Sequence, residues 1–164
     1  MDGTVTYDEL VRATERRLIR LGLMLTGNLH SAEDLVQTVL ARAHRRWDRI
    51  SGLDHPEAYL RTMVVNEFLS WRRILKNREL PLAEPLDRPS DEDIGSRQAL
   101  KDATWQLLTT LPKQQRAVLV LRYYEDLSDD EIATILGVAT GTVRSNASRA
   151  LANLRDHLST EEED

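Results

Sequence analysis

Several residue types are absent or scarce in this sequence, and each absence excludes a class of protein. The 164 residues contain no cysteine, so neither a disulfide framework nor a thiolate metal site is available. The histidines are too scattered to suggest a metal cluster: His30, His44, His55 and His157. No apolar run reaches the length of a membrane span, and the N-terminus lacks the apolar core of a signal peptide. We therefore expect a soluble cytoplasmic protein with no metal and no other cofactor.

Positive charge is in the minority, which at first argues against a nucleic-acid partner. The chain has 22 basic and 27 acidic residues, a net charge of -5, whereas proteins neutralise phosphates with Lys and Arg. The acids are concentrated in residues 84–93 and 156–164, while residues 61–79 carry an excess of basic residues. Residues 138–155 contain three arginines and no acid. The charge distribution therefore leaves two basic segments that could meet DNA.

Three amphipathic helices are predicted in the first half of the chain. Each begins at a helix-start signal, a capping pair or a proline: Thr6 with Glu9, Ser31 with Asp34, and Pro56. Gly27 and the loop 51–55 should end the first two, and the third could reach Asn77. Trp47 and Trp71 fall on the apolar stripes of the second and third helices. We expect both indoles in the core.

The third predicted helix has a polar side of unusual composition. At about 100° per residue, hydroxyl, amide and guanidinium groups share that side: Thr62, Asn66, Ser70, Arg73 and Asn77. Such groups form hydrogen bonds with base edges. The alternative is an ordinary solvated face. We favour a base-reading surface, because a solvated face is more often rich in Glu and Lys.

A break in the helical pattern divides the chain. Residues 78–91 contain three prolines among acidic residues, a composition typical of a flexible linker. We therefore predict an all-α protein with the following parts: a helical domain at 1–77, a flexible acidic linker at 78–91, a second helical domain at 92–158 and an acidic tail at 159–164.

Residues 127–155 are predicted to form two short helices joined by a tight turn. Ser128 and Glu131 form a capping box, and Gly137 provides a left-handed stop. Thr140 is expected to cap a second helix that ends near Leu158. The outer side of that helix carries polar and basic groups without a carboxylate, and a helix-turn-helix places such a side in the major groove. The alternative is a common helical hairpin.

Four segments, in this order, resemble the extracytoplasmic-function (group IV) sigma factors of RNA polymerase. They are LTGNLHSAEDLVQTVLARAHRRWDRI, HPEAYLRTMVVNEFLSWRR, LPKQQRAVLVLRYYEDLSDDEIATILG and TGTVRSNASRALANLR. The resemblance covers nearly the whole chain and is greatest to an actinobacterial subgroup. It implies a region 2-like domain, a linker, a region 4-like helix-turn-helix domain and no catalytic activity.

The resemblance also implies partners and contact residues. The protein would bind core RNA polymerase at the clamp helices of the largest subunit and at the flap region, and it would read and melt promoter DNA. An anti-sigma factor is a further candidate partner, since many relatives are held inactive by one, and the sequence itself leaves its existence open. The clamp contact would use Asp34, Leu35 and Gln37. The minus-ten element would be read by Thr62, Asn66, Ser70, Arg73, Asp54 and His55. The minus-35 element would be read by Thr142, Arg144, Ser145, Asn146 and Arg149.

Three positions depart from the family pattern, and two other functions compete. Asn146 stands where relatives commonly have a basic residue, Ala147 where they have a large aliphatic one, and Ser70 where many have Asp. We expect the promoter sequence to differ accordingly.

A stand-alone helix-turn-helix regulator that binds duplex DNA as a dimer would explain only the C-terminal half. An enzyme using His30 and Glu33 would lack a third metal ligand and a nucleophile.

Overall fold

A computed structural model describes residues 5–77 and 106–162 of the chain, apart from the side chains of 72–77. Every regular element within those ranges is helical, which confirms the predicted all-α class. The chain divides into two compact units, Met1–Glu84 and Pro85–Asp164. The predicted linker and residues 92–105 of the predicted second domain lie outside the described residues. The proposed domain boundaries therefore stay predictions.

Four helices are described in the N-terminal unit: α1 (Tyr7–Thr26), α2 (Leu29–Arg45), α3 (Trp47–Ile50) and α4 (Pro56–Asn77). Helices α1, α2 and α4 pack against one another in pairs. They bury a single aliphatic core, whose largest fully buried side chains include Leu21, Leu25, Leu35, Leu60 and Val64. Each of the three long helices therefore presents one apolar side to the other two.

The reversal between α1 and α2 takes only two residues. Gly27 adopts the left-handed conformation at φ 74° and its N–H donates to the Leu23 carbonyl oxygen at 2.8 Å. Asn28 follows at once and caps α2, its Oδ1 accepting from the Ser31 N–H at 3.0 Å. The prediction that Ser31 and Asp34 form a capping box was wrong. The side-chain amide of Asn28 caps the helix about one turn earlier, so Ser31 already lies within it.

The start of α1 and the end of α2 can be compared with the sequence predictions. The capping box of Thr6 and Glu9 at the start of α1 is confirmed. The second helix was expected to run through Trp47, but it ends at Arg45, and Arg46 departs from helical geometry at φ -108° and ψ 19°. Trp47 is half-buried and meets the Tyr7 ring edge-on at 5.7 Å, so it covers the core rather than filling it. Trp71 is half-buried too.

Helices α1 and α2 approach closely because small residues face each other. A Cβ atom at Gly22 would lie 3.2 Å from the Ala32 Cβ, tighter than ordinary packing. At the other end of the pair, the Tyr7 hydroxyl donates to the Leu40 carbonyl oxygen at 2.8 Å. Burial, and then the nearby carboxylates of Asp8 and Glu15, raise the pKa of Tyr7 above its ordinary value. The two helices are thus fixed to each other at both ends.

The described part of the C-terminal unit begins with a helical stretch at 106–109 and continues through three α-helices. These are α5 (Lys113–Leu119), α6 (Asp129–Leu136) and α7 (Thr140–Glu162). A π-helical turn, Val120–Tyr124, follows α5 directly. Helices α5 and α6 both pack against α7. The buried side chains between them include Val118, Leu121, Ile132, Val143 and Ala147.

A buried arginine connects the start of this unit to α5. Arg116 is only 9% exposed, and its Nη2 donates to the carbonyl oxygens of Thr109 and Leu111 at 2.9 and 3.0 Å. These carbonyls lie at the end of the helical stretch 106–109 and just after it, where the helix itself offers no donor. Burial lowers the pKa of Arg116. The guanidinium therefore serves as an internal cap for the turn before α5.

Helix α7 is longer than the sequence indicated. It was expected to end near Leu158 and to be followed by an acidic tail, yet it continues to Glu162. Glu161 and Glu162 therefore lie in its last turn, which contains no basic residue. Carboxylates at a helix C-terminus interact unfavourably with the helix dipole. The acidic segment is thus largely an extension of the helix.

We predict that Gly22→Leu destabilises the N-terminal unit, because the larger side chain must displace α2 at Ala32. Overpacking of this kind costs about 1–3 kcal/mol. Chemical denaturation of the full chain measures the change. Arg20→Leu, at an exposed position of the same helix, is the matched control and should change stability little. Equal effects of the two variants would contradict the close packing at Gly22.

Candidate nucleic-acid interface

Helices α6 and α7 form the predicted helix-turn-helix. The Ser128 Oγ accepts from the Glu131 N–H at 3.2 Å, and the Glu131 Oε1 accepts from the Ser128 N–H at 3.3 Å, which confirms the capping box. Gly137 ends α6 in the left-handed conformation, at φ 68°. The N–H groups of Gly137 and Val138 both donate to the Ala133 carbonyl oxygen. This turn directs α7 back across α6.

The start of α7 differs from the prediction. Thr140 was expected to cap the helix but is its first residue, and the Ala139 carbonyl oxygen accepts the first backbone hydrogen bonds, from Thr142 and Val143. The Thr140 hydroxyl instead donates to Asp130 Oδ1 at 3.0 Å. A side chain of α6 therefore holds the first turn of α7.

The sides of α7 divide cleanly into apolar and polar. Val143, Ala147 and Ala150 are buried against the rest of the unit. Four of the five residues predicted to read the minus-35 element are exposed, namely Thr142, Arg144, Ser145 and Arg149. Asn146 is half-buried. Further along the helix, the Asn153 Nδ2 donates to the Gln115 Oε1 of α5 at 2.9 Å, which fixes the rotation of α7.

An acidic residue that the sequence did not single out lies beside this surface. The Asp129 carboxylate accepts two hydrogen bonds from Arg122, one from Nε at 3.1 Å and one from Nη2 at 2.9 Å. Its Oδ2 also lies 3.5 Å from the Arg144 Nε. The hydrogen bonds with Asp129 are the largest cause that raises the pKa of Arg122. No local spacing rule could reveal this cluster, because its members come from three different elements.

Three of the five polar residues predicted to share one side of α4, a set we call the ladder, have side chains that the structure describes. Asn66 and Ser70 are exposed and Thr62 is half-buried, at spacings of four residues along one side of the helix. The hydroxyls of Thr62 and Ser70 donate to the backbone carbonyl oxygens of Ala58 and Glu67. Asn66 carries the one amide of this group among the described side chains, and it is exposed. The side chain of Arg73 lies outside the described residues.

The two glutamates of α4 are paired with arginines of other helices. Glu67, 9% exposed, forms an ion pair with Arg42 of α2 at 2.8 Å. Glu57 lies 3.9 Å from Arg17 of α1. Because these carboxylates are directed to α1 and α2, the ladder around Asn66 keeps little negative charge. A nucleic-acid strand could approach it with little repulsion.

The loop before α4 exposes the two other residues predicted at the minus-ten element. Asp54 and His55 are both exposed and directly precede Pro56, the first residue of α4. The neighbouring Leu53 is also 40% exposed. The loop therefore lies about two turns of α4 away from Thr62 and about three turns away from Asn66. A single strand would have to span both parts to contact them together.

The three residues predicted to contact polymerase differ in their exposure to solvent. Asp34 and Gln37 are exposed on α2, and the Asp34 side chain is 61% exposed beside His30 at 3.6 Å. Leu35 has no exposed surface at all. Its assignment as a contact residue was wrong, because its side chain belongs to the core between the helices. Leu35 instead supports the exposed pair from beneath.

Two other kinds of site are absent from the part of the chain that the structure describes. No group of three or more His, Cys, Asp or Glu side chains there could hold a metal ion. No helix among these residues is both long and apolar enough to cross a membrane.

Comparisons with known proteins agree with the two-part architecture. The family model for Sigma-70 region 2 matches residues 10–78, and the model for Sigma-70, region 4 matches residues 101–154. The RNA polymerase sigma-E factor of Streptomyces coelicolor is 36% identical over 158 residues, which cover 96% of this chain and 89% of that protein. The ECF RNA polymerase sigma factor SigE of Mycolicibacterium smegmatis is 38% identical over 93% of this chain and 62% of its own length.

A solved structure shares the fold. The sigma factor RpoE of Bartonella quintana, crystallised with the anti-sigma factor NepR, matches with a TM-score of 0.68 and 24% identity, covering 93% of this chain and 96% of that one. The two Sigma-70 region matches, together with the sigma-E relative, identify a transcription initiation factor of the sigma type. The chain belongs to the sigma-70 family of RNA polymerase sigma factors, in its extracytoplasmic-function group. A stand-alone regulator is not favoured, because the relatives match through the N-terminal unit as well.

We predict that Gly137→Ala destabilises the C-terminal unit by roughly 1–2 kcal/mol, the cost of a left-handed conformation for a residue with a Cβ. The reason is conformational, since no atom lies within 4 Å of the added Cβ. Gly141→Ala is the matched control. That site also has open space but lies in α7, so alanine should raise stability by up to about 1 kcal/mol. Thermal unfolding of the full chain measures both variants, and an identical shift would contradict the left-handed turn.

Proposed function

We propose that the chain, as a sigma factor, directs core RNA polymerase to promoters through two separate reading surfaces. The minus-ten surface consists of the α4 ladder Thr62, Asn66, Ser70 and Arg73 with the loop residues Asp54 and His55. The minus-35 surface consists of Thr142, Arg144, Ser145, Asn146 and Arg149 on α7. The observation that carries this assignment is the pairing of both α4 glutamates with arginines of α1 and α2, which leaves the ladder around Asn66 without an unpaired carboxylate.

The minus-ten surface is the one suited to DNA opening. An exposed amide such as Asn66 can donate to and accept from the edge of an unpaired base. Holding an extruded base offsets an unstacking cost of a few kcal/mol. The α7 surface, by contrast, presents arginines and hydroxyls on a helix-turn-helix, the geometry that reads an intact duplex in the major groove. We therefore assign melting to the N-terminal unit and upstream anchoring to the C-terminal unit.

We propose that core polymerase binds the N-terminal unit through Asp34 and Gln37, at the clamp helices of its largest subunit, and the C-terminal unit through its flap region. Both side chains are exposed, and the buried Leu35 between them packs this part of α2 into the core. These two observations support the first contact. The protein would act in the cytoplasm as a binding factor without catalysis of its own. We include an anti-sigma factor among the proposed partners, because the Bartonella protein of the same fold was solved with one.

The two surfaces can be separated by in vitro transcription with core polymerase. Asn66→Ala should lower open-complex formation by about tenfold, since it removes the base-holding amide. Its affinity for core polymerase should be unchanged. The double variant Asp34→Ala/Gln37→Ala should instead weaken core binding, and excess polymerase should restore its open complexes. Fluorescence anisotropy for core binding and permanganate footprinting for melting measure the two steps.

Reciprocal results would support the assignment, because each variant is the control for the other. Loss of core affinity in Asn66→Ala would remove Asn66 from the minus-ten surface. A wild-type chain that binds palindromic duplex DNA alone, yet never supports initiation, would instead support a stand-alone regulator.

A further inference from the structure

Asp129 lies between two arginines that belong to different elements. Arg122 comes from the π-helical turn and donates two hydrogen bonds to the carboxylate, while Arg144 comes from the second turn of α7. The shortest contact with Arg144 joins its Nε to the Asp129 Oδ2 at 3.5 Å. One carboxylate of α6 thus connects the body of the C-terminal unit to its reading helix.

The carboxylate itself is held firmly in place. Asp129 is the first residue of α6, where the positive end of the helix dipole favours a negative charge. Arg122 binds it in the two-point geometry that fixes both planar groups relative to each other. Its side chain is only 20% exposed and that of Arg122 is 29% exposed. The acceptor is therefore in position before any other group reaches it.

Arg144 is the adaptable member of the cluster. Its side chain is 70% exposed, and an exposed arginine normally samples many rotamers. The contact with Asp129 engages Nε and leaves the terminal Nη groups, which carry four of the five N–H donors, for another acceptor. An arginine reads guanine through two donors in a fixed plane, so its orientation decides whether that contact forms.

We propose that Asp129 is a positioning residue that orients Arg144 and thereby sets the base preference of the minus-35 surface. This inference rests on the proposed function, in which Arg144 belongs to that surface. Asp130 provides a natural comparison, since it has the same charge one residue along α6 but binds the Thr140 hydroxyl instead of an arginine. Both acids repel DNA phosphates, whereas only Asp129 contacts Arg144.

The experiment uses the full chain with core polymerase and a promoter library in which each minus-35 position is varied. Asp129→Asn should reduce the discrimination between bases by about fivefold or more, at the same minus-35 positions that Arg144→Lys affects. Asp130→Asn should change transcription from all sequences by one common factor. In the Arg144→Lys background, Asp129→Asn should cause no further loss of discrimination, because the oriented Nε is already missing.

Two outcomes would overturn the proposal. Asp129→Asn could behave as Asp130→Asn does and shift all sequences alike, in which case Asp129 contributes only its charge. Its effect could also add independently to that of Arg144→Lys. If Asp129→Asn unfolds the C-terminal unit, Asp129→Glu takes its place, since it keeps the charge but moves the carboxylate by one methylene. Unchanged discrimination in Asp129→Glu would then refute the positioning role.

Transcription by the wild-type chain from the same promoter library separates this inference from the function on which it rests. A wild-type chain that initiates with core polymerase but ignores the minus-35 sequence refutes the reading role of α7, and the positioning of Arg144 with it. A wild-type chain with a clear preference that Arg144→Lys leaves intact refutes the inference and removes Arg144 from the minus-35 surface, but it leaves the reading role of α7 standing.

Discussion

Each helical unit depends on a helix that stops at a single left-handed glycine. Gly27 ends α1 at φ 74° and Gly137 ends α6 at φ 68°, and in both cases the freed N–H returns to a carbonyl of the last turn. A residue with a Cβ adopts this conformation only at a cost of about 1–2 kcal/mol. Because the turns are so short, they determine which sides of the next helices face the core. The exposed positions of α2 and α7 follow from that choice.

Features that depend on neighbouring residues could be predicted from the sequence. Spacings of three or four residues were enough to predict the capping boxes at Thr6 and Ser128 and the apolar stripes of the helices. The start of α4 followed from the single residue Pro56. The prediction failed where two local signals competed, as when Asn28 capped α2 in place of Ser31. It also failed at Leu35, which the family resemblance implied as a contact residue but whose side chain is fully buried in the core.

Features that depend on distant residues could not be predicted in this way. The pairs Arg42–Glu67 and Arg17–Glu57 join helices that are far apart in the sequence, so only the packed bundle shows that the α4 glutamates are directed to the other helices. The same holds for Arg122, Asp129 and Arg144. A formal charge of -5 therefore says little about either reading surface, because partners within each unit decide which charges a nucleic acid would meet.

The continuous course of α7 to Glu162 has a practical consequence. At about 1.5 Å per residue, a site ten residues beyond Arg149 lies some 15 Å further along the same rigid axis. The chain has no cysteine, so a single one introduced at exposed Ser159 would be the only thiol available to a dye. The helix would then act as a lever arm. Polarised fluorescence from that dye would report the tilt of the helix on a duplex, without a label touching the bases.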